Sequence, residues 1–316
     1  MTSLYSWLEW NARVSIQNMV DLWNEAMFHH FPLSKELFER NVFHPFYLDL
    51  ARSCLVIENG KLIGFTVAKS DTHKILSNDT CLWISCIVVH PDYQRKGIGT
   101  KMVNHTLSTV RCNVIVGSDP HHFFPGIPSE NTTAQLFFEK QGFTIEGKAY
   151  DLRCNISKYK YTTLPMKDDY LVQRLLPKHQ GELLQHLEEN HSTRWYKETK
   201  WSINYEKDIF SLVGLFHKGN LIGFAHVHSK NDSFWIPSVY WGKYHNQNIG
   251  GLGPVGIHKD YRGAGVGSFF MMEILKLLQR EGVNEMEIDW TILLDFYKKF
   301  HFVPHRSYVH AKRTNK

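Results

Sequence analysis

The order of apolar and polar positions predicts one series of helices and strands, and predicts it twice along the chain. The segment "SIQNMVDLWNEAMFHHF" (15–31) has apolar residues at intervals of three and four, which is typical of an amphipathic helix. A second, shorter helix is predicted at "SKELFERNVF", where Ser34 stands in the capping position. Next, "SCLVIENGKLIGFTVAK" places Asn59-Gly60 between two apolar runs, which is the strongest short-range signal for a β-hairpin.

The remainder of the first series alternates strands and helices. A near-continuous apolar run, "CLWISCIVV" (81–89), predicts a buried strand, and 96–110 predicts a helix. A strand "NVIVGSD", a helix "NTTAQLFFEKQ" and a closing hairpin "GFTIEGKAYDLRCNI" follow. The second series opens with a strand (170–176) and a helix (178–189) and then keeps the same order. Each series therefore predicts an α+β (mixed α/β) domain, in which helices flank a twisted mixed β-sheet.

Short sequence echoes indicate a duplication. "NGKLIGFTVAK" returns as "GNLIGFAHVH", so that Gly64 and Gly223 are 159 residues apart, and "FFEKQGF" returns as "FYKKFHF" with the same separation. A repeat of this length indicates two tandem domains rather than a solenoid. We place the domains at 1–156 and 169–316, with the polar, proline-containing segment 157–168 as the linker.

A further motif occurs in both halves as "VHPDYQRKGIGTKM" (89–102) and "IHKDYRGAGVGSFF" (257–270). In each, an apolar strand enters a glycine-rich turn that opens a helix. Such a turn binds anions, because the first amides of the helix are unpaired and the helix dipole makes them partly positive. Glycine has no Cβ and therefore lets a phosphate approach the backbone. Both turns predict a ligand that carries phosphate groups.

The spacing of the glycines narrows the choice of ligand. The lysine of a nucleotide-binding P-loop is missing, because Gly99 is followed by Thr100 and Lys101 rather than by Lys and Ser or Thr. The third glycine of a dinucleotide-binding fingerprint is also missing, because Met102 and Phe270 occupy its place. Both turns instead read Gln/Arg-x-x-Gly-x-Gly, as Gln94, Gly97 and Gly99 and as Arg262, Gly265 and Gly267.

Composition excludes some classes of function. The chain has 316 residues, 43% of them apolar, and a formal net charge of +5 without a long basic tract, so neither nucleic-acid binding nor a membrane span is predicted. The five cysteines lack C-x-x-C spacing and are predicted to be buried free thiols in a reducing cytoplasm. The first residues lack the basic start and apolar core of a signal peptide, which also favours a cytoplasmic location. His121 and His122 have no third ligand at a suitable spacing, so no metal site is predicted.

The two turns, each behind a buried strand and a hairpin, resemble the coenzyme A pyrophosphate loop of the GNAT N-acetyltransferase superfamily. The resemblance covers most of both halves, and the tandem arrangement is similar to that of mycothiol synthase and related bacterial two-domain acetyltransferases. It implies acetyl-CoA as cofactor and transfer of the acetyl group to the amine of a small molecule. The residues that it implies to bind the cofactor are Ile87, Val88, Val89, Gln94, Arg95, Lys96, Gly97, Ile98, Gly99, Thr100, Asn131, Val255, Gly256, Ile257, Arg262, Gly263, Ala264, Gly265, Val266, Gly267 and Ser268.

The resemblance also implies the catalytic groups. A backbone amide at the end of the strand is expected to meet the oxyanion, and a tyrosine near the start of the last motif to protonate the departing thiolate. The tyrosine position is Phe138 in the first copy and Tyr297 in the second. Asn131, which in the family often touches the cofactor, has Trp290 as its counterpart. We expect Tyr297 to be the general acid and the second half to be catalytic; the alternative for Tyr297 is a core aromatic residue.

Several questions stay open at the level of sequence. Glu287 and Asp289 alternate along "MEIDW", and either of them, or a relay of water, could deprotonate the amine. The segment 117–131, which contains "FFPG", predicts a long loop whose exposed aromatic residues line a substrate cleft between the domains.

Two other functions fit the same residues: a non-catalytic acyl-CoA-binding protein acting as a sensor or scaffold, and catalysis in the N-terminal half. The acceptor amine is not identified by any motif. The duplication fits either a monomer, as a pseudo-dimer of domains, or a homodimer.

Overall fold

A computed structural model describes residues 6–8, 14–27, 30–43, 47–71, 80–160, 169–233, 235–242 and 248–314. Most of the predicted linker, residues 161–168, lies outside these ranges. Within them, every helix is too short or too polar to cross a lipid bilayer.

The elements follow the predicted order in both halves. The N-terminal half forms β1 (Ser6–Leu8), α1 (Ile16–Met27), α2 (Lys35–Val42), β2 (Cys54–Glu58), β3 (Lys61–Ser70), β4 (Thr80–Val89), α3 (Ile98–Leu107), β5 (Asn113–Val116), β6 (Ile127–Pro128), α4 (Thr132–Lys140) and β7 (Thr144–Asn155). The C-terminal half forms β8 (Tyr170–Arg174), α5 (Gln180–Asn190), α6 (Thr193–Trp201), β9 (Leu212–His217), β10 (Asn220–His228), β11 (Ile249–Ile257), α7 (Val266–Arg280), β12 (Glu285–Thr291), α8 (Leu294–Lys298) and β13 (Val303–Arg313).

The chain folds into two compact units. The first unit comprises Met1–Ala149 together with Arg306–Lys316. Its sheet runs in the order β1-β2-β3-β4-β5-β13, and only β4 and β5 are parallel to each other. Helix α1 packs against β3 and β4, and Trp23 of this helix is completely buried.

The second unit comprises Tyr150–His305. Its sheet runs in the order β8-β9-β10-β11-β12-β7, and here only β11 and β12 are parallel. The apolar face of α7 covers this sheet, and Phe270 and Leu275 of this helix pack in one core with Tyr297 of α8. Both units are therefore mixed α/β layers, as the sequence predicts.

The boundaries of the units differ from the predicted division at 156 and 169, because each unit takes its last strand from the other half of the sequence. Residues 150–155 of β7 pair antiparallel with β12 in the second unit. Residues of β13 pair with β5 and β6 in the first unit. The two halves of the sequence therefore exchange their final strands.

The local turn and cap signals are confirmed. Ser34 Oγ accepts a hydrogen bond of 3.2 Å from the amide of Leu37, which makes it the N-cap of α2. Asn59 and Gly60 form the turn between β2 and β3.

Two predictions made from the sequence are wrong. The segment that ends the first half is one strand of 12 residues, β7, rather than a hairpin. It stays extended because its second part pairs with β12 instead of folding back on its first part. The cysteines are not all free thiols: Cys54, Cys86 and Cys154 are free and buried, but Cys112 is disulfide-bonded.

Candidate active site

In each unit the two parallel strands of the sheet separate part-way along their length. The last paired residues are Ile84 and Val116 in the first unit and Leu252 and Ile288 in the second. Beyond these pairs β4 and β11 continue for five residues while hydrogen-bonded only to β3 and β10. We call the opening between the separating strands the fork of each unit.

The fork of the second unit exposes backbone groups of β11. The amide of His258 donates to Ile222 O at 2.8 Å, so residues 258 and 256 face β10 in the antiparallel ladder. Because the ladder alternates, the N–H groups of Val255 and Ile257 point away from β10, into the fork. Pro254, which precedes them, has no N–H to offer. Val255 is therefore the first residue after Pro254 whose amide points into the fork.

The fork of the first unit repeats this pattern. The amide of His90 donates to Ile63 O at 2.8 Å, which by the same alternation directs Ile87 and Val89 into the fork. Val88 and Gly256 are also among the strand residues predicted to bind the cofactor. Their backbone groups face β3 and β10 respectively, so their amides point away from the fork of their unit.

The glycine-rich turns begin where these strands end, and both are closed by the same contact. Gln94 Nε2 donates to Val89 O at 3.1 Å, and Arg262 Nε donates to Ile257 O at 3.0 Å. The Gln or Arg at the head of the motif therefore folds back onto the strand and fixes the start of the turn. This contact explains why either residue type serves, since both offer an N–H donor on a long side chain.

The turns leave a helix N-terminus open. Gly97 and Gly265 occupy the N-cap positions of α3 and α7 in the left-handed conformation, with φ of 79° and 80°. No side chain caps either helix, and beyond the neighbouring backbone no heavy atom of the described residues lies within 4 Å of the place where a Cβ would stand at either glycine. The amides of the first turn therefore face an exposed space that fits an anion. The side chains of Ile98 and Val266, also predicted to contact the ligand, are buried in the core and anchor the turns.

One ionisable side chain, Asp289, lies at the fork of the second unit, and the charge of this side chain reaches a second one, Tyr297. Tyr297 of α8 is buried, and a Cβ at Gly253, the first residue past the fork, would lie 2.9 Å from Asp289 Oδ1. Burial raises the pKa of Tyr297 to about 12, and the negative charge of Asp289 contributes to this shift. Tyr297 and Asp289 are therefore close enough to interact electrically, at the point where β11 and β12 part.

Glu287, the other predicted acid, is held in ion pairs. Its side chain is 1% exposed, and its Oε1 accepts a hydrogen bond of 2.8 Å from Arg153 Nε and lies 3.6 Å from His305 Nε2. Asp289, by contrast, is partly exposed. Glu287 is already bonded to Arg153, whereas Asp289 lies at the fork, so Asp289 is the better-placed base of the two.

The fork of the first unit is filled by a buried ion pair. Lys69 and Asp119 are fully buried, and Ser85, the first residue past the fork, donates from Oγ to Asp119 Oδ2 at 2.8 Å. Sequence reasoning missed this pair, since Lys69 lies in an apolar hairpin strand and Asp119 in a loop.

The loop 117–131 does not present its aromatic residues to solvent, and that prediction is wrong. Phe123 and Phe124 are 2% and 8% exposed, and they pack against Trp23 of α1 with ring centroids 5.0 and 5.7 Å apart. Apolar burial inside the first unit outweighs exposure, because each ring that leaves water stabilises the fold. The loop therefore belongs to the core of the first unit.

His121 and His122 lie in the same loop, and no cluster of His, Cys, Asp or Glu suited to a metal occurs among the described residues.

The last motif differs between the units as the sequence indicates. Phe138 of α4 is buried in an apolar cluster of the first unit, without a hydroxyl group. Asn131 is the N-cap of α4 and accepts a hydrogen bond of 3.0 Å from the amide of Ala134. Trp290 instead precedes α8 in the left-handed conformation, with φ of 47°, and the guanidinium of Arg194 stacks over its indole ring at 5.0 Å.

Comparison with known families agrees with this architecture. The model of the acetyltransferase (GNAT) family matches residues 16–143 and, a second time, residues 177–302. The chain belongs to the GNAT family. Both matched segments contain one fork and one glycine-rich turn, so the tandem duplication predicted from the sequence is confirmed. Comparison with curated protein sequences gives no significant match.

Solved structures share the tandem GNAT fold. A GCN5-related glucosamine N-acetyltransferase region of a fungal multi-domain GH3 β-N-acetylglucosaminidase is 22% identical, with a TM-score of 0.87; the match covers 99% of this chain and 38% of that one. A GCN5-related N-acetyltransferase from Sphaerobacter thermophilus is 15% identical, with a TM-score of 0.69 and coverage of 99% and 96%. A tandem GNAT protein from the clavulanic acid biosynthesis pathway is 14% identical, with a TM-score of 0.68 and coverage of 99% and 98%.

At these identities the likeness establishes the fold, and the fold of this GNAT protein is that of an acyltransferase. The chain spans 38% of the fungal protein and therefore corresponds to one region of it. The particular similarity to mycothiol synthase stays a prediction.

Proposed function

We propose that this GNAT protein transfers the acetyl group of acetyl-CoA to the amine of a small molecule, and that the second unit performs the reaction. The observation that carries the proposal is the position of Asp289 at the fork of that unit, near the amide of Val255 and within electrical reach of Tyr297.

The residues of both turns fit the pyrophosphate of coenzyme A. The empty space at Gly97 and Gly265 and the uncapped helix starts behind them form a cradle of amides that a phosphate would fill. In the second unit Arg262, Gly263, Ala264, Gly265, Gly267 and Ser268 would hold it, and Val255 and Ile257 would bond the arm that enters the fork. Bound there, acetyl-CoA supplies the acetyl group as an activated thioester.

Each of these groups then has a task in the reaction. Asp289 accepts a proton from the ammonium group of the acceptor and leaves a nucleophilic amine. The N–H of Val255 stabilises the negative charge that develops on the carbonyl oxygen as the amine attacks. Tyr297 donates its phenolic proton to the sulfur as the carbon–sulfur bond breaks, and its phenolate takes up the second proton that the nitrogen loses in forming the amide.

The charge of Asp289 links the deprotonation of the amine to the protonation of the thiolate by Tyr297. The pKa of Tyr297 is raised first by burial and second by the negative charge of Asp289. Once Asp289 has taken the proton of the amine it is neutral, so its contribution to the pKa of Tyr297 is lost. Tyr297 thereby becomes a stronger acid at the stage when the thiolate leaves.

We assign the first unit no acetyl transfer of its own. Phe138 cannot donate a proton, and the buried Lys69–Asp119 ion pair, bonded to Ser85, occupies its fork. Its open turn, from Gln94 to Gly99, is still suited to a phosphate, and we propose that it binds coenzyme A without turnover.

For the acceptor we propose an amino sugar. The fungal region with the same fold is described as a glucosamine N-acetyltransferase, which supports this class. The carboxylate of Asp289 at the fork of the second unit suits the ammonium group of such an acceptor.

Thiol release from acetyl-CoA tests the proposal. The purified protein is incubated with acetyl-CoA and one amine at a time: glucosamine, a polyamine, an aminoglycoside, an amino acid and a short peptide. We expect release of coenzyme A to require an amine and to be fastest with glucosamine, with N-acetylglucosamine as the product in mass spectra.

A parallel titration with desulfo-coenzyme A separates the alternatives. Binding of this analogue without thiol release from any amine would favour a non-catalytic acyl-CoA-binding protein. Turnover with a different amine would keep the N-acetyltransferase and replace the acceptor class.

A further inference from the structure

The strand that carries Asp289 contains a β-bulge. In the pairing of β12 with β7, Ile288 lies opposite Leu152 and Thr291 lies opposite Tyr150. Two residues of β12, Asp289 and Trp290, therefore stand opposite the single residue Asp151. A bulge of this kind bends the strand and turns a side chain away from the direction that regular alternation would give it.

Asp151 holds the bulge in place. Its side chain is 6% exposed, and its Oδ1 accepts a hydrogen bond of 3.3 Å from the backbone amide of Trp290. That amide has left the regular ladder, because Trp290 adopts the left-handed conformation with φ of 47°. Such a conformation is unfavourable for a bulky residue and persists only where its surroundings enforce it. The carboxylate of Asp151 supplies that restraint at the backbone, and Arg194 supplies one at the indole ring.

The bulge sets the position of the proposed base. Met286 and Ile288 point into the core that contains Tyr297, and Glu287 points to the other face, toward Arg153. Asp289 is the first residue of the bulge, so the alternation of Glu287 and Ile288 does not by itself fix its direction. With the bulge, Asp289 lies against Gly253 at the fork and within electrical reach of Tyr297. A Cβ at Gly253 would lie 2.9 Å from Asp289 Oδ1, so the carboxylate stands directly beside the backbone of β11.

We propose that Asp151 is a positioning residue of the second unit: by bonding the amide of Trp290 it maintains the bulge that aims Asp289 at the fork. Asp151 belongs to the strand that the N-terminal half of the sequence contributes to this unit. The exchanged strand thus takes part in the arrangement of the active site as well as in the sheet. The inference rests on the proposed function, since it concerns the base of that reaction.

A double-mutant cycle on the full-length chain tests the proposal. Asp151→Ala removes the acceptor, and Asp151→Asn keeps an oxygen at the same place while removing the charge. For the Ala variant we expect kcat with acetyl-CoA and glucosamine to fall roughly 10²-fold, the usual effect of a small misplacement of a reacting group, with little change in the KM for acetyl-CoA. The Asn variant should retain most of the activity.

Asp289→Asn completes the cycle. If Asp151 acts through Asp289, then Asp151→Ala should slow the Asp289→Asn variant little or not at all. The positioning role would be overturned if the fold losses in kcat of the two single variants multiplied in the double variant. It would also be overturned if Asp151→Ala lost thermal stability but kept the kcat of the wild type.

A readout without turnover distinguishes this inference from the proposed function. Hydrogen exchange at the amide of Trp290 should be slow in the wild type and in Asp151→Asn, and fast in Asp151→Ala. If no amine is acetylated but this pattern is found, the proposed function fails and the role of Asp151 in the bulge stands. If exchange is the same in all three proteins, Asp151 does not hold the bulge.

Discussion

Lys69 Nζ lies 2.5 Å from Asp119 Oδ2, and neither side chain of this ion pair is exposed to solvent. Lys69 also donates to Pro120 O at 2.7 Å. Removing one partner of a buried pair leaves a charge without compensation, whereas removing both leaves an apolar site. We expect Lys69→Met to lower the free energy of unfolding by about 3–5 kcal/mol, and Lys69→Met/Asp119→Leu to lower it much less.

Urea unfolding of the purified variants measures this difference. Because the pair lies in the first unit, the kcat of each folded variant should equal that of the wild type. A double variant no more stable than Lys69→Met alone would show that the pair is held for its hydrogen bonds rather than for its charge balance.

The Nε2 atoms of His186 and His191 lie 3.2 Å apart in the second unit. Burial is the main cause that lowers the pKa of each ring to about 4. Neighbouring positive charges lower it further, chiefly His191 for His186 and Arg262 for His191. The negative charge of Glu189 opposes the shift at His186. An unfolded histidine has a pKa near 6.5. Between about pH 6.5 and 4 the unfolded chain therefore binds protons that the folded chain does not, so stability falls as the pH falls through this window.

We expect the Tm of the wild type to decrease steeply from pH 6.5 to 4, and the Tm of His186→Gln/His191→Gln to decrease less. Differential scanning fluorimetry at half-unit steps of pH measures both slopes. His301→Asn, at an exposed position of the same unit, is the matched control and should keep the wild-type slope. Equal slopes for all three proteins would contradict the assignment to the histidine pair.

Features encoded by neighbouring residues could be predicted from the sequence. Ser34 caps its helix and Asn59-Gly60 turns the hairpin because both act through contacts a few residues away. The glycine-rich turns were recognisable for the same reason, since strand, turn and helix follow one another without interruption.

Features that depend on distant pairing could not be predicted. The extended form of β7, the exchange of final strands and the bulge opposite Asp151 each require a partner more than 100 residues away. Burial of Phe123 follows likewise from its contact with Trp23, which no local pattern records. Asp289 was recognised as a candidate base, but the bulge that begins at this residue and the ion pairs that hold Glu287 could not be predicted.

Gly265 offers a test of the coenzyme A turn. Gly265→Glu places a negative charge beside the uncapped amides of α7, where the pyrophosphate is proposed to lie. Gly265→Gln has the same size and the same strain at φ of 80° but no charge, so it is the matched control. We expect calorimetric titration with coenzyme A to give a dissociation constant at least about 10-fold higher for the Glu variant than for the Gln variant, with a smaller ratio at high salt. Equal affinities for wild type and both variants would place the second cofactor site elsewhere.

The exchange of strands predicts which fragments fold. Residues 150–305 contain every strand of the second unit, whereas 169–316 lacks the part of β7 that pairs with β12. We expect the 150–305 fragment to be soluble and to unfold cooperatively. The 169–316 fragment should aggregate, because without β7 the backbone of β12 is left unpaired at the edge of the sheet. Circular dichroism melts and size-exclusion chromatography compare the two. A stable 169–316 fragment would show that the exchanged strand is dispensable.

Tyr297→Phe tests the proposed general acid. The substitution removes one oxygen and keeps the ring that packs against Phe296 and Phe302, so stability and affinity for coenzyme A should change little. Turnover with acetyl-CoA and the acceptor amine should fall by roughly 10²–10⁴-fold, and the loss should appear in kcat more than in KM. Phe138→Tyr in the first unit, combined with Tyr297→Phe, is the matched control; it should not restore turnover, because the fork beside it is filled by Lys69 and Asp119.

Since the pKa of Tyr297 is about 12, its proton stays in place throughout the assay range, and any loss of wild-type activity below pH 10 must come from another group. Wild-type rates in the Phe variant, together with inactivation by a substitution in the first turn, would move the reaction to the first unit.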